Sequence, residues 1–399
     1  MKVIVIGGGA AGMMAALTAA GNGHQVTLLE RQARVGRKLM ATGNGRCNLT
    51  NRHAAPIHYH GQDEHFCASA LASFDVDATL EFFAKLGLVT MTEDSGRVYP
   101  FSNMAGSVLD VLRFALEQPN IDLHTGCVVT GIKCKGGLFT VTTETDVFTA
   151  DKVILAAGGA AGSKVGGVMD GYQLGKAMGH HRTALYPSLV QLKTDPTYPR
   201  ALKGVKAEAA ITVRRRGEVL AMGQGEILFT EYGLSGPAIF DLSRAVATGG
   251  EGLEVSLDFL PDWTEERTLD WLRALRDNRS TQETATLLSG TLHSRLGQMV
   301  CKAAGFTAQP CGTLTEADLQ KIARQLRAFT LSIHGVCGFD QAQVTAGGLR
   351  TDEFDSTTME SRLVKGFYAC GEVLDVDGDC GGYNLQWAWS SGYVAGQLK

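Results

Sequence analysis

The chain opens with Val3-Ile-Val-Ile6, a short apolar strand that runs directly into Gly7-x-Gly9-x-x-Gly12. No other segment limits the fold as tightly. A strand closing on three glycines and entering the alanine-rich stretch 13–21 is the turn of a mononucleotide-binding βαβ unit. The missing side chains let the backbone turn sharply and let a diphosphate approach a helix N-terminus. A glycine fingerprint alone is weak evidence, but residues 25–29 read as the second strand and Glu30 stands about where a ribose-binding carboxylate belongs. Gly7, Gly9, Ala11, Gly12, Glu30 and the adjoining Arg31 are therefore expected to hold the adenosine end of a dinucleotide.

The 399 residues allow two or three domains. Their 49 glycines gather at strand-to-helix junctions and not in low-complexity runs, so they mark ligand loops. A net charge of −4 gives no global attraction to nucleic acid or an anionic membrane. Nine cysteines without a C-x-x-C pair argue for a reducing compartment, the cytoplasm, and against a disulfide framework or zinc ribbon. No run of about 18 apolar residues offers a membrane span. The apolar run after Met1-Lys2 is too short for a signal peptide, so no targeting signal is expected.

A second glycine-rich loop, residues 36–51, carries Arg37, Lys38, Thr42, Gly43, Asn44, Gly45, Arg46 and Cys47. Its cations and amides suit a diphosphate and the edge of a flavin. Residues 75–87 and 105–118 read as helices, and residues 122–149 as a β-ribbon containing Val129. The buried-looking strand 152–156 then ends in Ala157-Gly158. Prolines break the α/β rhythm after residue 186, which places a first part of the coenzyme domain at 1–189. An inserted β-domain follows at 190–260 with a return segment at 331–342, then a helical domain at 261–330, and the coenzyme domain resumes at 343–399. The expected fold is α/β: a discontinuous Rossmann-like domain with a β-barrel-like insertion and a small helical domain.

Near the C-terminus an apolar strand closes on Gly371-Glu372, and Gly381-Gly382-Tyr383-Asn384-Leu385 starts the last helix. Glu372 is placed to accept from a ribityl hydroxyl. The helix amides at Gly382 could stabilise negative charge at the N1/O2 edge of a reduced flavin. A plain NAD domain has no reason to return its C-terminus to the same site, so the pairing points to FAD.

At these residues the chain resembles the BaiN/YhiN-like family of NAD(P)/FAD-dependent oxidoreductases, related to the fumarate reductase and glutathione reductase flavoproteins. The resemblance spans Gly7 to Gly12, residues 36–51, 96–102, 228–237 and 345–349, and the long block from Gly371 to Gly396. It implies an FAD domain, an inserted barrel-like domain and a helical domain. One branch of the family is associated with reducing steroid-ring double bonds in bile acids. Another is associated with reducing uridine to dihydrouridine in ribosomal RNA, and some members carry the name of amine oxidases. The two reductions share an alkene polarised by a carbonyl: hydride goes to the β-carbon and an acid protonates the α-carbon. That reaction, on a small-molecule enone, is the expected activity, with NAD(P)H as electron donor. Tyr99, Tyr383 and Cys47 are the candidate acids, and Arg97 joins them at the substrate.

Asp375, Asp377 and Asp379 alternate in a glycine-rich loop and read as turn residues, so no metal is expected. His180-His181 read as capping or packing residues. The basic segment Arg200–Arg216 leaves an RNA contact open, and the sequence does not set the oligomeric state. The glycine loops include no positioned covalent tether. Acid precipitation of the yellow protein is therefore expected to release intact FAD, whereas FMN as the sole bound flavin would contradict the two-ended site.

Overall fold

The computed structural model describes residues 1–399, which form two compact units: Met1–Tyr186 with Ala342–Lys399, and Pro187–Gln341. In the first unit five parallel strands make one sheet in the order Phe367–Ala369, Lys152–Leu155, Lys2–Ile6, Gln25–Glu30, Ile121–Thr125. Val3 to Ile6 are all buried, as a central parallel strand covered on both faces requires. Helix Ala10–Gly21 leaves that strand through the glycine turn. An antiparallel meander of Val129–Lys135, Leu138–Thr143 and Val147–Ala150 leads back into Lys152–Leu155.

Two helices approach at backbone distance. Gly392 and Gly396 of Tyr383–Gln397 face Ala10–Gly21: a Cβ at Gly392 would collide with the Ala11 carbonyl, and one at Gly396 would lie 2.6 Å from that of Ala15. Matching 392 to 11 and 396 to 15 makes the helices parallel. Their N-termini therefore point the same way, with that of the terminal helix about 12 Å further along at 1.5 Å per residue. One extended ligand can meet both ends.

Buried polar groups fix the terminal helix in place. Gln386 is fully buried and accepts from Thr50 Oγ1 (2.6 Å), while its amide donates to Phe74 O, Thr79 Oγ1 and Ser390 Oγ. Trp389 Nε1 donates to Leu49 O, and Trp387 Nε1 to Gly371 O. Gly371 N–H donates to Ser391 Oγ (3.0 Å), so the Gly371-Glu372 turn is tied to the same helix.

The second unit is a closed antiparallel barrel in the order Leu192–Thr194, Gly233–Ser235, Glu218–Phe229, Lys206–Arg215, Leu253–Asp258, Phe329–Val336. Closure removes the open sheet edges. Helices Pro237–Thr248, Glu265–Asn278, Ser294–Ala303 and Glu316–Arg327 share its apolar cluster. Residues 261–330 thus pack into the barrel's core and not a separate one. The architecture is a Rossmann-like α/β fold with an inserted barrel-like part, as the sequence implied; the barrel closes with six strands, and the segment read as a small helical domain shares its core. No helix is long and apolar enough to cross a membrane.

Gly396→Ala is expected to cost about 1–3 kcal/mol by overpacking and to lower the melting temperature by several degrees. Wild-type stability in urea and heat would contradict the close helix contact.

Candidate functional site

The first glycine turn meets its demands in different ways. Gly7 has φ +105° and lies against the Ala156 carbonyl, and a Cβ on Gly12 would strike Gly7 O, so helix and strand could not close together. A Cβ on Gly9 would meet nothing within 4 Å: it would enter open space at the helix N-terminus, which no side chain caps. That space is a cleft, partly open to solvent, lined by Gly7, Gly9, Glu30, Arg31, Arg37, Lys38, Val129, Ala157 and Gly158 among others. Glu30 is 8% exposed at the end of its strand, and its oxygens accept from Gly8 N–H (2.7 Å) and Gln32 N–H (2.6 Å). Each oxygen retains a lone pair for a ribose hydroxyl. Arg31 is held by Asp170 (2.6 Å), and Arg37 donates to Gln32 Oε1 (2.8 Å).

Lys38 links this cleft to the second half of the site. Its Nζ lies 2.6 Å from Glu372 Oε2, and Glu372 Oε1 accepts from Thr345 N–H (2.9 Å). Gly371 packs on Ala11, 2.7 Å from the position its own Cβ would take to the alanine Cβ. The loop Thr42–Gly45 continues to Asn48, whose Oδ1 is buried without a hydrogen-bond partner and would lie 2.9 Å from a Cβ on Gly382. A buried orphan acceptor beside an uncapped helix N-terminus fits a ring N–H with a neighbouring electron-rich edge. Together the two halves fit FAD: a diphosphate cradle at one helix end, and a carbonyl acceptor with free amides at the other.

The remaining expected residues surround the second half. Strand Arg97–Pro100 pairs with Thr50–Asn51, and Asn51 Nδ2 donates to Gly381 O (2.8 Å), which places Arg97 beside the glycine turn. The half-buried Arg97 guanidinium has no hydrogen-bond or ion-pair partner in the protein. Tyr99 is 5% exposed beneath Arg46, whose guanidinium lies 3.9 Å from the ring centroid and also binds Glu93 (2.8 Å). Burial and Glu93 raise the Tyr99 phenol pKa above its usual value despite the nearby Arg97 and Arg46. Cys47 is fully buried, and burial pushes its thiol up to about 12, only partly offset by Thr42.

Several side chains do structural work. Asn384 exchanges hydrogen bonds with Gly378 (2.7 and 2.9 Å), pinning the turn, and Leu385 is half-buried. Thr42 Oγ1 donates to Leu39 O, and Asn44 is exposed with φ +56°. Tyr383 is buried under the imidazole of His58, with ring centroids 4.4 Å apart. His58, His60 and Asp379 form a hydrogen-bonded cluster there that the sequence reading passed over. The histidines lie in a two-residue strand and the turn before it, segments too short to show a period, and only the pairing of Tyr59–His60 with Asp377–Gly378 brings Asp379 to them.

The model of the HI0933-like protein Rossmann domain matches residues 1–398. The chain is 38% identical over 402 residues to a 3-dehydro-bile acid delta(4,6)-reductase of Clostridium scindens, covering 99% of this chain and 98% of the relative. It is 32% identical over 398 residues to a ribosomal RNA dihydrouridine synthase of Escherichia coli, covering 99% and 96%. Among solved structures, the open conformation of a flavocytochrome c3 fumarate reductase aligns at 17% identity and TM-score 0.47, covering 100% of this chain and 77% of that one.

Glu30→Ala removes a charged acceptor of the kind worth about 1.5–3 kcal/mol. FAD affinity, read by flavin fluorescence titration, is expected to fall roughly 10- to 100-fold with little change in the far-ultraviolet spectrum. Unchanged affinity would take Glu30 out of the site.

Proposed function

The chain belongs to the HI0933-like Rossmann family, and we propose on that premise that this FAD-dependent oxidoreductase reduces a carbon–carbon double bond conjugated to a carbonyl, in a small apolar enone of steroid type. The observation that carries the reading is Arg97: a half-buried cation without a protein partner, next to the glycine turn that would receive the flavin edge. A site that keeps such a charge unpaired has an anion or a developing oxyanion to stabilise. The 38% relative, a reductase of a 3-dehydro-bile acid by name, supports the substrate class.

Gly7, Gly9, Glu30, Lys38, Glu372, Asn48 and the Gly382 amides would hold FAD, which when reduced supplies two electrons as hydride. Arg97 polarises the substrate carbonyl and stabilises the enolate oxygen that grows as the β-carbon accepts that hydride. The α-carbon must then take a proton. Cys47, pushed up to about 12 by burial, and Tyr99, also raised by burial, hold theirs tightly at neutral pH. NAD(P)H is the proposed donor. Gly158 and Gly159 line the same cleft as Gly7 and form no second cradle, so the nicotinamide would visit the flavin before the enone does and the kinetics would be ping-pong.

The RNA alternative draws on the 32% relative. Within the basic segment Lys203 pairs with Glu231 and Lys206 with Glu226, both at 2.9 Å, which leaves less free charge for a phosphate backbone.

Anaerobically reduced enzyme is expected to be reoxidised on adding a 3-keto-Δ4 steroid, and Arg97→Gln to slow that step about 100-fold with near wild-type FAD content. Reoxidation by unmodified ribosomal RNA and by no enone would contradict the reading, as would peroxide formation from an amine.

A further inference from the structure

The short ribbon of Tyr59–His60 and Asp377–Gly378 brings His58 and Asp379 face to face, with Asp379 N–H donating to His58 O (3.0 Å). The Asp379 carboxylate takes one imidazole on each oxygen: Oδ2 lies 2.9 Å from His58 Nδ1, and Oδ1 2.7 Å from His60 Nε2. Burial works to raise the Asp379 pKa, but the bonds from His60 and His58 outweigh it and hold the carboxyl below its usual range. With Nδ1 on an anion, His58 keeps a proton there, and its Nε2 has no partner in the protein. The side chain is 31% exposed and its ring lies nearly flat on Tyr383, at 25°. A carboxylate on Nδ1 fixes the orientation and tautomer of the ring and leaves Nε2 as the nitrogen available for proton transfer.

We propose that His58, oriented by Asp379, is the general acid that protonates the α-carbon of the substrate alkene. The assignment rests on the alkene-reductase reading and supplies the proton that reading lacks. The β-carbon receives hydride from the reduced flavin, which is left oxidised. The π pair of the alkene, held as the enolate against Arg97, forms a new bond to the Nε2 proton. The N–H electron pair stays on nitrogen, and the neutral imidazole regains a proton from water at its exposed edge. Tyr383 backs the ring, and His60 shares the carboxylate. The titratable groups facing His58 are Asp379 from the glycine turn, Tyr383 from the terminal helix, and Tyr59 and His60 from its own segment. The protonated form is the active one, so reoxidation by the enone is expected to slow as pH rises.

The test pairs a spectroscopic readout with a kinetic one on the FAD-loaded protein. Histidine Cε1 NMR titration measures the His58 midpoint in the wild type and in Asp379→Asn. Stopped flow follows anaerobic reoxidation of the reduced enzyme by 4-androstene-3,17-dione across the same pH range. The wild-type rate is expected to fall about tenfold per pH unit on the alkaline side, with the limb following the measured NMR midpoint in both the wild type and Asp379→Asn. His58→Gln is expected to be at least about 100-fold slower and flat across that range, with FAD content and reduction by dithionite unchanged. If His58→Gln loses FAD, the wild-type profile and Asp379→Asn decide the matter. A variant that reoxidises at the wild-type rate, or a limb that does not follow the NMR midpoint, overturns the assignment. Wild-type enzyme that no enone reoxidises defeats the alkene reading first, and the acid role with it; that result appears before any variant is compared.

Discussion

The contact between the first and last helices is the constraint on which the site depends. Gly392 and Gly396 let Tyr383–Gln397 lie on the backbone of Ala10–Gly21, and the parallel alignment turns both N-termini toward one end of the sheet. A side chain at either position would lift the terminal helix and separate the two halves of the cofactor cradle. The network of Gln386, Ser390, Trp387 and Trp389 fixes the rotation of that helix, since each buried donor and acceptor must find its partner. Packing thus sets where the Gly371-Glu372 and Gly381-Gly382 turns can stand.

Electrostatics then divides the site by task. Along the cleft the charges are paired: Arg31 with Asp170, and Lys38 with Glu372 where the cleft meets the Gly371 turn. Those pairs are partly exposed and contribute little to stability, but they hold the walls of the cleft in place. At the opposite end Arg97 stands without a partner, while the nearby titratable groups differ in how firmly they hold their protons. Cys47 and Tyr99 are made weak acids by burial. His58 has one nitrogen on a carboxylate and the other unengaged, an arrangement suited to proton transfer.

Much of this organisation was legible in the sequence. The strand-glycine-helix junction at Gly7–Gly12 carries its own context, and the second glycine-acid turn at Gly371-Glu372 pointed to a chain end returning to the first domain. The first helix begins at Ala10, earlier than the alanine-rich stretch suggested, because the fingerprint glycines themselves form its N-terminus. His180 packs on Phe354 and binds Glu353 and Ser361, in keeping with a packing role. The Gly392-x-x-x-Gly396 contact and the Asp379 cluster left no local trace. The first depends on which helix lies opposite, and the second on the pairing of two-residue strands that have no period to detect. Asn384 reads as a ligand residue from its place in the motif, and only tertiary geometry shows that its side-chain amide also closes the Gly378 turn.

A crystal structure of the protein with FAD tests the central claim, that the two chain ends build one flavin site with Arg97 on its substrate side. The account predicts the diphosphate at the N-terminus of Ala10–Gly21, the isoalloxazine edge within hydrogen-bond reach of Asn48 Oδ1 and the Gly382 amides, and Arg97 facing the open side of the ring. An isoalloxazine lying away from Gly382, or an Arg97 bound to the FAD phosphates, would contradict it.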